Sequence, residues 1–259
     1  MAPLILKLVL VPFLLAAVSA AGSRLGPRVA GVLMGLPAVA GPLALLLTLE
    51  QGAGFGASAA RATLASVLSI GVFCVVYARA CERSGWSWSL CLALLGFGAS
   101  TVAWNAVVPP FWLVLPLALA TPPAVLALTP HPNVATLGAR LPKREIALRM
   151  ITGALLVLAV TGAARTLGSR LSGLLVLFPI ATSVLAVSAQ RSAGPSHAAL
   201  LLRGLALGLY SLTAFFATLA LTLERWGVAA GFALALLASL TVQLGTLLAL
   251  APKPAPRSG

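Results

Sequence analysis

Aspartate is missing from this chain altogether, and only 4 of its 259 residues are acidic. Charged residues of either sign make up 8%, where a soluble globular chain carries roughly a quarter. That shortage excludes a water-solvated surface over most of the molecule and leaves little material for acid–base chemistry. The two histidines, His131 and His197, are far apart and lack acidic partners, so no metal site is expected. Cys74, Cys81 and Cys91 lack the paired spacing of a zinc site and read as small core residues. The serines come with no nucleophile elbow and no acid to complete a triad. No ATP-binding loop is present. These absences predict neither an enzyme nor a cofactor.

What the chain has instead is apolar sequence, 60% of its residues. Apolar blocks occupy 4–21, 29–49, 62–78, 86–107, 109–128, 146–163, 171–189, about 198–223 and 227–251. Each approaches the roughly 20 residues that a helix needs to cross a bilayer. They are apolar all round rather than alternating, which excludes a β-barrel. The expected fold is all-α, a polytopic membrane protein of about nine transmembrane helices, with the lipid bilayer as its main partner.

Seventeen basic residues give a net charge of +13. They are scattered between apolar blocks with no nucleic-acid motif, so no nucleic-acid partner is expected. Their distribution is better explained by orientation, because Lys and Arg collect in cytoplasmic loops. With the N-terminus outside and the C-terminus inside, the cytoplasmic side holds Arg24, Arg28, Arg79, Arg83, Arg140, Lys143, Arg144, Arg149, Arg191, Arg203, Lys253 and Arg257. The other side keeps Lys7, Arg61, Arg165, Arg170 and Arg225. The first block has a small-residue stretch, Val18-Ser19-Ala20, like that before a signal cleavage site, but Lys7 lies inside its apolar run rather than before it.

Shifted by about 142 positions, the two ends of the chain match without a gap. Leu25-Gly26 falls on Leu167-Gly168, Arg28 on Arg170, Gly31 on Gly173, Pro37 on Pro179, Gly52 on Gly194, Arg61 on Arg203, Ser69 on Ser211 and Phe73 on Phe215. Lys7 falls on Arg149, so the first block belongs to the repeat and is expected to be retained. The organisation read from this is a first four-helix repeat at 1–107, a linker helix at 108–128, a cytoplasmic loop at 129–145, a second repeat at 146–251 and a basic tail at 252–259. Five crossings separate the starts of the two repeats, an odd number, so the second repeat is expected to enter inverted. Pro109, Pro110, Pro116, Pro122 and Pro123 predict a kinked or poorly hydrogen-bonded linker.

The second helix of each repeat is interrupted at the same place, Gly35 to Pro42 in one and Phe178 to Ser183 in the other. Proline removes a donor and clashes with the carbonyl four residues back, so backbone groups are freed at mid-membrane. Matching interruptions in two halves point to a transport site. Pro37, Gly41, Pro42, Pro179, Thr182 and Ser183 are therefore the first candidates for substrate binding, against the alternative of a structural kink. Arg61 and Arg203 recur in both repeats and could draw anions into either mouth, the competing reading being lipid-headgroup contact. Glu50 is the one acid worth testing for proton coupling, against an ordinary interfacial role. Ser66, Ser69, Asn105, Thr152, Ser211, Thr213, Thr241 and Gln243 are expected to join helices by hydrogen bonds, the alternative for the repeated Ser69 and Ser211 being to face a pore, and Gly26, Gly31, Gly35, Gly173 and Gly208 to allow close packing.

The stretch Ser172-Gly173-Leu174-Leu175-Val176-Leu177-Phe178-Pro179, with Leu49-Glu50-Gln51-Gly52 and Arg61-Ala62-Thr63, resembles the GlpM family of small bacterial inner-membrane proteins. The resemblance covers most of each half and implies an inner-membrane location and an association with glycerol-phosphate metabolism. The acid of the turn is replaced by Ser192 in the second repeat. A looser architectural likeness is to drug/metabolite transporters. The expected function is a small secondary transporter for a small anionic metabolite working by alternating access, as a monomer or homo-oligomer. The alternative is a non-transporting scaffold or assembly factor for a partner protein.

Overall fold

The computed structural model describes residues 2–107, 110–132, 149–155 and 179–250. Among them all regular structure is helical: α1 (Ala2–Leu25), α2 (Pro27–Met34), α3 (Ala40–Gln51), α4 (Ala53–Ala80), α5 (Trp86–Val107), α6 (Phe111–Leu128), α7 (149–155), α8 (Ile180–Ala193) and α9 (Pro195–Leu250). Four of these, α4, α5, α6 and α9, are long and apolar enough to cross a membrane. Phe13, Leu95, Trp112, Leu237 and Leu248 stand exposed on the outside, a surface suited to lipid rather than water. The loop after 132, the basic tail, Arg165, Arg170, Gly173 and the 172–178 motif lie outside the described residues.

At 56 residues, α9 would run about 84 Å if straight, nearly three times the roughly 30 Å hydrocarbon core. It does not run straight. Gly227, with φ 77° and ψ 177°, turns it back into two arms, 195–226 and 228–250. Ser211 Oγ reaches Ser239 O at 3.0 Å, and the Phe215 and Phe232 rings meet edge-on with centroids 6.2 Å apart. The arms are therefore the eighth and ninth expected spans, divided where the sequence divides them.

The second expected span is broken at Pro37. With no amide at Pro37 to continue the ladder, Gly35 N turns to Val32 O at 3.0 Å and Leu36 N to Leu33 O at 3.2 Å, ending α2 in a tight turn before α3 begins at Ala40. Buried Gln243 adds its Nε2 to Val32 O at 2.9 Å. One repeat later, α8 begins directly after Pro179. Gly52 closes α3 with φ 91°, ψ 166°, and Gly194 closes α8 with φ 87°, ψ 176°. That backbone region is essentially restricted to glycine.

The centre of the fold is made by α2, α4 and the first arm of α9. Gly31 on α2 and Gly35 at its C-cap lie directly against the backbone of Leu201, Gly204 and Gly208, and Gly204 in turn against Arg28 O. Both helices carry small residues four apart, which lets two backbones approach closely. The arm runs antiparallel to α4. Ala57, Ala60 and Leu64, early in α4, pack with Phe215, Phe216, Leu219 and Leu223, late in the arm. Phe73, Cys74, Tyr77 and Cys81, at the other end of α4, pack with Leu202, Ala206 and Leu209. Consequently the Gly52 turn opens α4 at one end, while the chain just after the Gly194 turn meets Cys81 at the other, Cys81 Sγ lying 3.8 Å from Pro195 O.

The linker is one uninterrupted helix, α6, with Pro116, Pro122 and Pro123 inside it. Thr121 Oγ1 donates to Leu117 O at 2.9 Å, and the methyl of Thr121 meets Gly71 of α4. Its C-terminal carbonyls, the negative end of the helix dipole, are taken by two arginines: Arg79 Nε donates to Leu128 O at 2.8 Å, and Arg203 Nη1 to Leu126 O at 2.8 Å and to Thr129 O at 3.1 Å.

Candidate functional site

The candidate residues do not converge on one point. Pro37 and Gly41 are buried, and a side chain added at Gly41 would meet Phe215 of the arm and Pro37 itself. Pro42 is the third residue of α3, where its missing amide costs no intrahelical bond. Pro179 starts α8, with Thr182 and Ser183 buried in the next turn. Glu50 is exposed at the end of α3. Arg61, on the same end of the bundle, is bound to Glu224 at 3.0 Å. Arg203 sits at the opposite end, where Thr129 Oγ1 accepts a further bond from its Nη1 at 2.9 Å.

The hydroxyl pair repeated in sequence joins helices. Ser69 Oγ donates to Ser100 Oγ at 3.2 Å, linking α4 to α5, and Ser211 and Ser239 meet through their Oγ atoms at 2.8 Å, linking the two arms. Asn105 and Thr241 bond within their own helices, to Thr101 O and Leu237 O.

One opening combines charge, hydroxyls and apolar walls. It measures about 410 Å³ and lies between the start of α5 (Trp86, Leu90), α7 (Arg149, Thr152) and one face of α8 (Ser183, Val184, Val187, Ser188, Arg191, Ser192). Arg149 is only 7% exposed, and its Nε donates to Ser188 Oγ at 2.6 Å and its Nη1 to Ser19 Oγ at 3.2 Å. The Arg191 guanidinium stands over the Trp86 ring, 5.5 Å from its centroid. Ser183 Oγ is buried and without a hydrogen-bond partner. From Ser183 to the end of α8 is ten residues, about 15 Å along the axis, so the pocket reaches from the basic end of the bundle to roughly half the depth of a hydrocarbon core.

The walls of this pocket are braced from beside it. Tyr77 Oη donates to Gln190 Oε1 at 2.9 Å, and Gln190 Nε2 to Ser84 O at 3.0 Å, fixing the last turn of α8 against α4. Of the sequence candidates only Ser183 lines the pocket. Arg149, Arg191 and Trp86 were not among them. Arg149 carried a signal, a cation inside an apolar block with Lys7 as its counterpart; Trp86 and Arg191 come from separate blocks, and nothing in the sequence joins them. A second cleft of about 480 Å³, between α6 and the arms of α9, is lined mostly by apolar groups such as Leu119, Leu207, Val242 and Ala249, with no charged side chain among the described residues that line it. Set against family models, curated proteins and solved structures, the chain matches none.

Proposed function

We propose that the chain is a small secondary carrier for a small anionic metabolite, working by alternating access between two inverted four-helix repeats. The observation that carries this reading is the placing of two equivalent turns. Gly52 and Gly194, one repeat apart and alike in backbone angles, stand at opposite ends of α4. The antiparallel packing of α4 with the first arm of α9 repeats the argument. The residues of one apolar cluster, Ala60, Leu64, Phe215 and Leu219, become Leu202, Ala206, Phe73 and Tyr77 of the other when shifted by one repeat. An axis in the membrane plane produces this exchange.

The ends of the bundle differ. At one, Arg61 holds Glu224. At the other, their repeat mates Arg203 and Glu82 are unpaired with each other, Arg203 being bound to the end of α6, and the pocket with Ser183 opens there. On this reading the chain is open to one side, and in the opposite state Arg203 and Glu82 would pair while Arg61 and Glu224 part. The charge bias favours the basic end as the cytoplasmic one, N-terminus out and C-terminus in, and the resemblance to the GlpM family implies a bacterial inner membrane. A C-terminal reporter active only in the periplasm would overturn that orientation.

A second reading, a non-transporting scaffold for a partner protein, is favoured by the first break, where Gly35 lies on Gly208 with no intervening space. Counterflow in liposomes separates the two. Purified protein reconstituted into vesicles loaded with organic acids should exchange a labelled acid saturably and without ATP. Absence of exchange for every acid tried, with intact folded protein, would leave the scaffold.

A further inference from the structure

We infer that the chain holds its bilayer between two rings of tryptophan, as a hydrocarbon slab about 27 Å thick, with the Arg61–Glu224 pair at one face and Arg79 and Arg203 at the other; the inference needs the spanning helices and not the carrier reading. All five tryptophans stand near helix ends. Trp86 and Trp88 open α5, Trp104 nears its close, Trp112 is the second residue of α6 and Trp226 ends the first arm of α9. Their levels follow from the packing. α5 runs antiparallel to α4, since Ser100 meets Ser69 and Gly96 faces Val72 and Val76. α6 then runs back alongside, with Thr121 against Gly71 and Leu128 O bound by Arg79. Trp226 comes just after Glu224, which Arg61 holds. Trp104, Trp112 and Trp226 therefore gather at the Gly52 end of the bundle, and Trp86 and Trp88 at the other.

An indole ring has a large apolar body and a single N–H, so it settles where hydrocarbon gives way to head groups. Trp86, Trp88, Trp112 and Trp226 are exposed on the outside of the bundle. Between the rings the outward side chains are apolar, among them Leu92, Leu95 and Val102 of α5 and Leu113 and Leu119 of α6. Eighteen residues separate Trp86 from Trp104 on α5, about 27 Å along its axis. The charges give the same measure independently. Arg61 and Arg79 on α4 are also eighteen residues apart, and no charged residue lies between them. A charge inside the core is costly, so each guanidinium marks an edge of it. A span of about 27 Å falls a little short of the average core of about 30 Å, a difference that a bilayer meets by thinning. Glu50 comes just before the Gly52 turn, and α4 runs about 12 Å from Ala53 to Arg61. That acid therefore stands outside the slab, in water, and not at a depth where a carboxylate could relay protons across it.

The test uses the full chain in nanodiscs of phosphatidylcholine, with its own tryptophan fluorescence and Tm as readouts. A nitroxide at the fifth carbon of the acyl chains should quench at least about twofold more strongly than one at the sixteenth. Leu119→Trp, which places an indole between the rings, should add emission with the opposite preference. Tm should peak in discs whose hydrocarbon core is about 27 Å thick and fall in both thinner and thicker ones. With all three cysteines replaced by alanine, Glu50→Cys should react with a charged maleimide from water and Leu119→Cys should not. Native fluorescence quenched equally or more by the deep nitroxide would overturn the inference. So would a Leu119→Trp signal quenched like the native five, a Tm that rises steadily with chain length, or a folded Glu50→Cys protein closed to the maleimide. The native quenching and the thickness series need no substitution, so a variant that fails to fold leaves both decisive. None of these readouts depends on transport, and a failure of counterflow would strike the carrier and leave the slab.

Discussion

Arg61 and Glu224 are 163 positions apart in the chain and 3.0 Å apart in the fold, Nη2 to Oε1. They tie the beginning of α4 to the end of the first α9 arm, and each has a counterpart one repeat away, Arg203 and Glu82, at the other end of the same two helices.

Both side chains of the pair are about half exposed, 44% and 56%, so its static contribution is small, about 0.2–1 kcal/mol. Glu224→Gln should therefore barely move Tm. A carrier poised between two states feels the same energy as a shift of up to about fivefold in their ratio. With Ser192→Cys at the pocket as an accessibility probe, Glu224→Gln should slow labelling and Glu82→Gln should speed it. Equal labelling in both variants would remove the exchange of ion pairs from the mechanism.

The glycine contacts carry far more. A side chain at Gly35 would run into the backbone of Gly208, and one at Gly204 into Arg28 O. Backbone cannot step aside as a flexible side chain does, so Gly35→Val and Gly204→Val should each cost about 3 kcal/mol or more. Gly98, in the middle of α5, has nothing within 4 Å of an added Cβ, and Gly98→Ala should be neutral or stabilising by about 0.5–1 kcal/mol. Thermal unfolding in detergent ranks the three; a Gly35→Val protein as stable as Gly98→Ala would show that α2 does not seat on the arm.

The contrast between these two sites shows what a sequence of this kind makes legible. The break at Pro37, the start of α8 after Pro179, the turn at Gly227 and the bounds of α5 follow from local chemistry, a missing amide or a missing Cβ, and can be read residue by residue. The start of α4 was hidden because Arg61 looks like the end of an apolar block. The helix runs through it from Ala53, since a long side chain can reach out to an ionic partner at the interface. Nothing local pairs Arg61 with Glu224, Gly35 with Gly208, or Trp86 with Arg191. Those are consequences of how helices cross, and in a chain so rich in Leu and Ala the apolar pattern is nearly uniform around each helix and does not specify which face meets which.

Cys81 offers a pH-dependent report on the packed end of α4. It caps that helix, is buried, and donates to Ala78 O at 3.3 Å. Burial pushes its thiol up to about 11, with the neighbouring Glu82 charge adding to the effect. Only the thiolate attacks a maleimide, and a raised value keeps the thiol neutral across the physiological range, leaving about one thiolate in a thousand at pH 8. With Cys74 and Cys91 replaced by alanine, labelling should climb about tenfold per pH unit up to pH 10. A rate that levels off near pH 9 would mean that Cys81 is open to water.

The two turn glycines allow backbone strain to be measured apart from packing. Gly52 and Gly194 have φ near 90° with extended ψ, and an added Cβ at either would meet nothing within 4 Å. Alanine at either position therefore clashes with no neighbour and must carry only the cost of that backbone region, about 1–3 kcal/mol. Because the two turns share the same angles, Gly52→Ala and Gly194→Ala should lower stability equally, and the double variant should lose the sum, the sites being at opposite ends of α4 and uncoupled. Unequal losses would mean that one turn relaxes to negative φ, which would shift the helix that follows it. At Gly194 that helix is α9, and the shift would disturb the packing of its first arm on α4.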